Sequence, residues 1–346
     1  MKKTILAVAI PALFAASAQA ANVYDADGVS ADVYGRMQFD IRDDNTNTDA
    51  VGSARMGFKA QSEIATGVSG FAKGEWQIAA EDADSSKFTA RHLYVGFDFE
   101  DSGKVIFGQT DTAFYTAVAP TDIFNSFGYG AYTLVEDGRQ EGQIIYSGEF
   151  GGFILDASYQ FRNPDFQVGV GNPEDTSYVD LGAELDSAYA ATLGYNFDFG
   201  LGLYGGYHVE KFKDGDKKNM ALSASYSWEA LYLGAAYVNA KTDDAKLDGY
   251  DLVVSYDINA VSLYAGYAYQ KASGDATLVD GGTMTFDDLG DWVKQSTLGV
   301  SYKFNSNMKV WGEYLVDNGK GVDTEGAAPA LTDADNQWRI AVQYNF

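Results

Sequence analysis

The chain of 346 residues has no cysteine, five prolines and two histidines, His92 and His208. Without cysteine there is no disulfide framework, no thiolate nucleophile and no Cys-ligated zinc or iron–sulfur centre. Positive charge is in deficit: 24 Lys and Arg face 49 Asp and Glu, a formal net charge of −25. Binding along a phosphate backbone needs the opposite balance, so nucleic acid is not an expected partner. After the first twenty residues, no segment has the length and apolarity of a transmembrane helix, which takes ~20 residues. No Gly-x-Ser-x-Gly, P-loop or His-Glu-x-x-His motif occurs, and neither histidine has Ser and Asp partners at a recognisable spacing. Asp43-Asp44-Asn45-Thr46-Asn47 lacks the Gly and Glu spacing of an EF-hand and reads as a solvated loop. The expectation is a protein without enzymatic activity, metal or cofactor.

The N-terminus has Lys2 and Lys3, then an apolar run from Ile5 to Ala16, then Ala18-Gln19-Ala20. A basic start, a short apolar stretch and a small-x-small site form the layout of a secretory signal peptide, predicted here over 1–20 with cleavage after Ala20.

The remaining chain, 21–346, reads as one domain of period-two strands. At the C-terminus Trp338, Ile340, Val342, Tyr344 and Phe346 alternate with Gln337, Arg339, Ala341, Gln343 and Asn345. Tyr250, Leu252, Val254, Tyr256 and Ile258 alternate with Asp251, Val253, Ser255 and Asp257. One apolar and one polar face is strand periodicity. About sixteen such segments follow, near 31–42, 52–64, 68–80, 87–99, 103–110, 139–148, 152–162, 187–198, 201–212, 218–228, 231–241, 248–258, 260–271, 292–304, 307–316 and 335–346. Short links near 100–103, 148–151, 200, 228–230 and 305–306 alternate with long acidic stretches such as 163–186 and 317–334. So many polar faces cannot share a dry core. The fold class expected is therefore all-β: a transmembrane antiparallel β-barrel of about sixteen strands, with lipid outside and water inside. Tyr24, Trp76, Trp228, Tyr232, Trp292, Trp311 and Trp338, near segment ends, are expected in the interfacial aromatic girdles. A barrel of this size leaves an aqueous channel.

One connection is out of pattern. Residues 110–138 are aromatic and carry few charges, with Phe114, Tyr115, Ile123, Phe124 and Phe127 among them. Such side chains prefer burial, so this loop is expected to fold into the lumen and narrow it. Arg36, Arg55, Lys59, Lys73, Arg91, Arg139 and Arg339 are assigned to the water-filled face, because an Arg in mid-bilayer costs about 2–4 kcal/mol. Several Arg opposite loop acids would set up a field across the constriction.

The chain resembles the general diffusion porins of Gram-negative outer membranes. The resemblance rests on Val33-Tyr34-Gly35-Arg36, Ala54-Arg55-Met56-Gly57-Phe58-Lys59, Thr66-Gly67, Gly74-Glu75-Trp76, Arg91 with Gly96, Gly108, Arg139 and Tyr344-Asn345-Phe346. It spans the chain after residue 20 and is sharpest from Tyr34 to Arg139. It implies a homotrimer in the outer membrane, among lipopolysaccharide, passing small hydrophilic solutes and ions. The basic side of the constriction would be Arg36, Arg55, Arg91 and Arg139. The family's Pro-Glu-Phe-Gly-Gly segment appears here as Pro120-Thr121-Asp122-Ile123-Phe124, without the Glu and the paired glycines. Asp122, with Asp111 behind it, is the expected acidic side. Phe346 matches the aromatic terminus read by the barrel assembly machinery. The alternatives are a substrate-selective channel, or a non-conducting barrel serving adhesion or envelope integrity. The net charge favours a weak preference for cations, fading at high salt.

Overall fold

The structure is a computed structural model. It describes residues 20–43, 47–79, 88–132, 135, 138–163, 169–170, 179–180, 184–213, 215–242, 245–277, 283–285, 291–323 and 330–346. The signal-peptide reading of residues 1–19 and the Asp44-Asn45-Thr46 part of the acidic loop lie outside the described residues.

An N-terminal strand, β1 (Ala21–Ala26), precedes sixteen barrel strands. These are β2 (Val29–Asp43), β3 (Thr48–Ala65), β4 (Val68–Ala79), β5 (Phe88–Asp98), β6 (Lys104–Asp111), β7 (Arg139–Phe150), β8 (Phe153–Gln160) and β9 (Leu185–Asn196). They continue as β10 (Leu201–Phe212), β11 (Gly215–Trp228), β12 (Leu231–Lys241), β13 (Ala245–Ile258), β14 (Val261–Thr277), β15 (Asp291–Lys303), β16 (Met308–Asp317) and β17 (Gln337–Asn345). Each barrel strand pairs antiparallel with the next, and β17 pairs with β2 from Arg36↔Asn345 to Asp43↔Trp338, which closes the sheet. Closure leaves no edge in the barrel wall, the condition for placing strands in lipid.

The apolar phase of every strand points outward. Phe39, Phe58, Leu193, Leu222, Leu252 and Ile340 are all exposed, whereas their neighbours in sequence face the interior. Tight turns at one end, such as Gly151-Gly152 and Glu229-Ala230, alternate with longer connections at the other. Sixteen expected segments thus coincide with sixteen strands, mostly to within three residues at each end.

Two expectations need correction. Ala21–Ala26 is an additional strand, paired with Val29–Val33 through an Asp27-Gly28 turn in which both residues have positive φ. It lies along β2 where β17 has already ended. Tyr232, Trp292 and Trp311 are not girdle residues. Each is about 95% buried or more, on the inner side of the wall. Tyr232 Oη donates to Pro120 O at 2.7 Å. Position near a strand end is a weak guide: strand phase turns Tyr232 and Trp311 inward, and Trp292 is the extra residue where the pairing of β14 with β15 shifts between Gln270↔Val293 and Lys271↔Asp291.

Candidate functional site

Arg36 on β2 and Arg55 on β3 are direct cross-strand partners, facing inward because Met37 and Met56 take the outer phase. Arg55 Nε donates to Gln77 Oε1 at 2.7 Å. Arg91 breaks the alternation. Leu93, Val95 and Phe97 are exposed, so strict period two would turn Arg91 outward as well. The pairing of β4 with β5 shifts between Glu75↔His92 and Trp76↔Ala90, leaving Arg91 as an extra residue. That bulge re-aims the side chain, and Arg91 Nε donates to Glu75 Oε1 at 3.0 Å. Tyr34 Oη donates to the other oxygen of Glu75, also at 3.0 Å. Arg139 opens β7 as the partner of Asp111 at the end of β6. Arg36, Arg91 and Arg139 all lie within electrostatic range of Arg55. The four arginines named from the sequence are therefore one cluster. Gly108 permits the path that carries β6 towards it: its φ is +131° and a Cβ there would lie 2.3 Å from Leu93 O.

Asp111 and Asp122 face this cluster. Asp111 interacts with Arg139, Arg91 and Lys73. Asp122 lies in the segment 112–132, which forms three short 3-10 turns at Tyr115–Ala117, Ala119–Thr121 and Gly130–Tyr132. Tyr115 Oη donates to Asp122 Oδ2 at 2.7 Å. Burial pushes the Asp122 carboxyl above the usual Asp range, and Tyr115, Arg139 and Arg91 pull it part of the way back. The Tyr115 hydroxyl is raised, by burial first and by Asp122 second.

The segment is held by residues that the sequence did not single out. Glu313 on β16 accepts the backbone N–H of Asn125 at 2.7 Å and those of Ser126 and Phe127 at 3.0 Å, and Tyr264 Oη donates to it at 3.0 Å. Lys309 Nζ donates to Asn125 Oδ1 at 2.6 Å. Thr116 Oγ1 donates to Asp156 Oδ2 at 2.7 Å, and Ala131 N donates to Asp251 Oδ1 at 3.2 Å. Phe114, Ala117 and Tyr132 bury against Ala190, Ala221, Val238, Ala268 and Ala272 of the wall. Beneath them Gly206 and Gly234 leave room: a Cβ on Gly234 would lie 2.3 Å from Pro120 O. A legible signal existed, since these inward positions are small and apolar where a wet wall would be polar.

Phe346 ends the chain against β2, exchanging two backbone hydrogen bonds with Gly35 at 2.8 and 3.0 Å. Its ring fills the space over Gly35, where a Cβ would lie 2.6 Å from it. Ala20 is the residue just before β1. Among the described residues, no group of three or more His, Cys, Asp or Glu could hold a metal ion.

Comparison with known proteins now has a geometry to meet. The family model described as Gram-negative porin matches residues 6–323. The chain is 27% identical to outer membrane porin F of Salmonella typhimurium, over the whole of both chains. The structure of Salmonella typhi OmpF in complex with daunomycin superposes with a TM-score of 0.73 at 20% identity, covering 94% of this chain and all of that one. A trimer form of OmpT, an outer membrane protein of Vibrio cholerae, gives 0.67 at 21% identity, covering 92% of this chain and all of that one.

Proposed function

This chain belongs to the Gram-negative porin family, and from that premise we propose how its outer-membrane barrel passes small hydrophilic solutes and ions by passive diffusion. The loop 110–138 narrows the barrel, its described part 112–132 entering as a partial shelf; residues 133, 134, 136 and 137 lie outside the described residues. Its hydrogen bonds to the wall run to β8, β12, β13, β14 and β16, where Lys309 also comes within electrostatic range of Arg36. A passage remains between the shelf and the wall of β2 to β5. Arg36, Arg55, Arg91 and Arg139 form its basic side, and Asp122 and Asp111 its acidic side. Work on solutes here is positional and electrostatic, in keeping with a channel rather than an enzyme.

The observation that carries this reading is the inversion of the barrel: apolar outside, charged inside, with one wall left uncovered by the loop. That uncovered wall also counts against the non-conducting alternative. The assembly is a homotrimer in this reading, supported by the porin relatives. Residues 1–20 are a signal peptide removed after Ala20, and Phe346 is the mark read by the barrel assembly machinery. Lipopolysaccharide surrounds the outer half of the barrel. Purified protein in a planar bilayer should give stable insertions that close in three equal steps. A folded barrel without conductance would overturn the open-pore reading.

A further inference from the structure

Below the constriction the inner wall repeats an unfavourable choice. Lys59 on β3 and Lys73 on β4 are direct cross-strand partners. Like charges placed opposite each other in a sheet destabilise it. The pair lies four residues along β3 from Arg55, about 13 Å towards the tight-turn end. The acids around it offset it only in part, because most are shared with other partners. Lys73 Nζ is 3.9 Å from Glu75, which already serves Arg91 and Tyr34. Lys59 Nζ lies over the Tyr34 ring, 5.2 Å from its centroid, and faces Asp32 across the strand pair. Asp98 is occupied by Lys104 at 3.0 Å.

A pocket of about 320 Å³ lies here, its lining including the charged Asp32, Lys59, Lys73, Asp98 and Lys104 and the rings of Phe71 and Tyr94. Phe71 and Tyr94 meet edge-to-face at 6.2 Å and form a firm aromatic side. The site therefore offers two ammonium groups, Lys59 and Lys73, with the Lys104–Asp98 ion pair and Asp32 at its rim and an aromatic surface beside them. Ammonium groups are point-charge partners for phosphate oxygens. The volume suits a small molecule rather than a bare halide.

We propose that this pocket is a holding site for small oxyanions of the phosphate class, inorganic phosphate and small phosphate esters, between the constriction and the tight-turn mouth. The Lys59–Lys73 repulsion is relieved when an oxyanion bridges the two ammonium groups. Being wet and partly exposed, the site binds weakly and releases quickly, as conduction requires. The inference rests on the open pore, and the experiment separates the two.

Single trimers in a planar bilayer are bathed in potassium chloride, and chloride is replaced stepwise by inorganic phosphate at fixed potassium. The phosphate-borne current should saturate. Lys59→Gln/Lys73→Gln should raise the half-saturating phosphate concentration about tenfold while chloride conductance stays close to that of the unaltered protein. Arg55→Gln, in the constriction, should shift the reversal potential and leave half-saturation where it was. Phosphate current that rises linearly in the unaltered protein would overturn the site, as would unchanged half-saturation in the double variant. Absence of chloride conductance would instead overturn the pore reading, and this site with it.

Discussion

At the scale of single residues, Glu313 and the arginines make separable predictions. One Glu313 carboxylate accepts three consecutive backbone N–H groups. An amide has one acceptor oxygen where the carboxylate has two, and a donor left unmade in a buried setting costs about 1–3 kcal/mol. Glu313→Gln should loosen the 125–127 tip, so single-channel conductance should rise and become noisier, with the barrel still folded by far-UV circular dichroism. Unchanged conductance and noise would remove Glu313 as the anchor. Arg55→Gln and Arg91→Gln should each move the reversal potential towards cations, and no movement in either would take the cluster out of the constriction. Asp122 adds a pH dependence. Burial raises its folded-state pKa, so the cost of keeping it ionised is present above that pKa and is relieved as pH falls through it. Acidification should neutralise Asp122 before ordinary surface aspartates, near pH 4, have protonated. Anion preference should rise at that step, and Asp122→Asn should abolish the step. Arg36 and Arg55 were legible from alternation alone. Arg91 was not, because its direction comes from a bulge that period two cannot show; the cost of an Arg in lipid and the resemblance placed it on the water-filled face instead. Glu313 was hidden for another reason: its partners lie 186–188 positions away in the chain.

At the scale of elements, strands were readable because lipid and water impose opposite demands on alternate residues. A run such as Tyr250–Ile258 has no other stable reading. The strand Ala21–Ala26 escaped notice because all six of its residues are exposed, so no buried face imprints a pattern on it. Tyr232 and Trp292 were misplaced because the inner wall against which the 112–132 segment packs is dry, and Trp311 because its strand phase turns it inward. Where the 112–132 segment covers them, inward positions behave as core, and large rings are welcome there. In the proposed reading the shelf and its seat are one packing unit, held by close apolar contact as well as by the hydrogen bonds to Glu313, Asp156 and Asp251. Gly234→Ala tests this. The added methyl meets a backbone oxygen at 2.3 Å, which cannot swing away like a side-chain tip. The shelf must move off the wall, and the size limit for neutral sugars should change in a liposome-swelling assay. An unaltered size limit would show that the shelf does not set the width of the passage.

At the scale of the whole molecule, two charge distributions compete. The chain as a whole carries −25, which alone favours cations. Yet the interior acids are largely committed. Glu313, Asp156 and Asp251 hold the 112–132 segment, and Glu75 is shared by Arg91, Tyr34 and Lys73. Their basic counterparts meet one another on the inner wall: Arg36 and Arg55 are cross-strand partners, and so are Arg42 and Arg339. The neck is thus positive inside a negative molecule. The two contributions respond differently to salt. Acidic groups at the wide mouths act through solution, where the screening length falls from about 10 Å at 0.1 M to about 3 Å at 1 M. Groups lining a narrow, partly desolvated neck are screened less, because few mobile ions fit between them and a passing ion. Reversal potentials under a fixed KCl ratio should therefore show weak cation selectivity near 0.1 M that declines and passes into anion selectivity near 1 M. Arg55→Gln should remove the high-salt limb and leave the low-salt limb in place. Cation selectivity that persists undiminished at 1 M would mean that the acids, not the arginines, govern the neck.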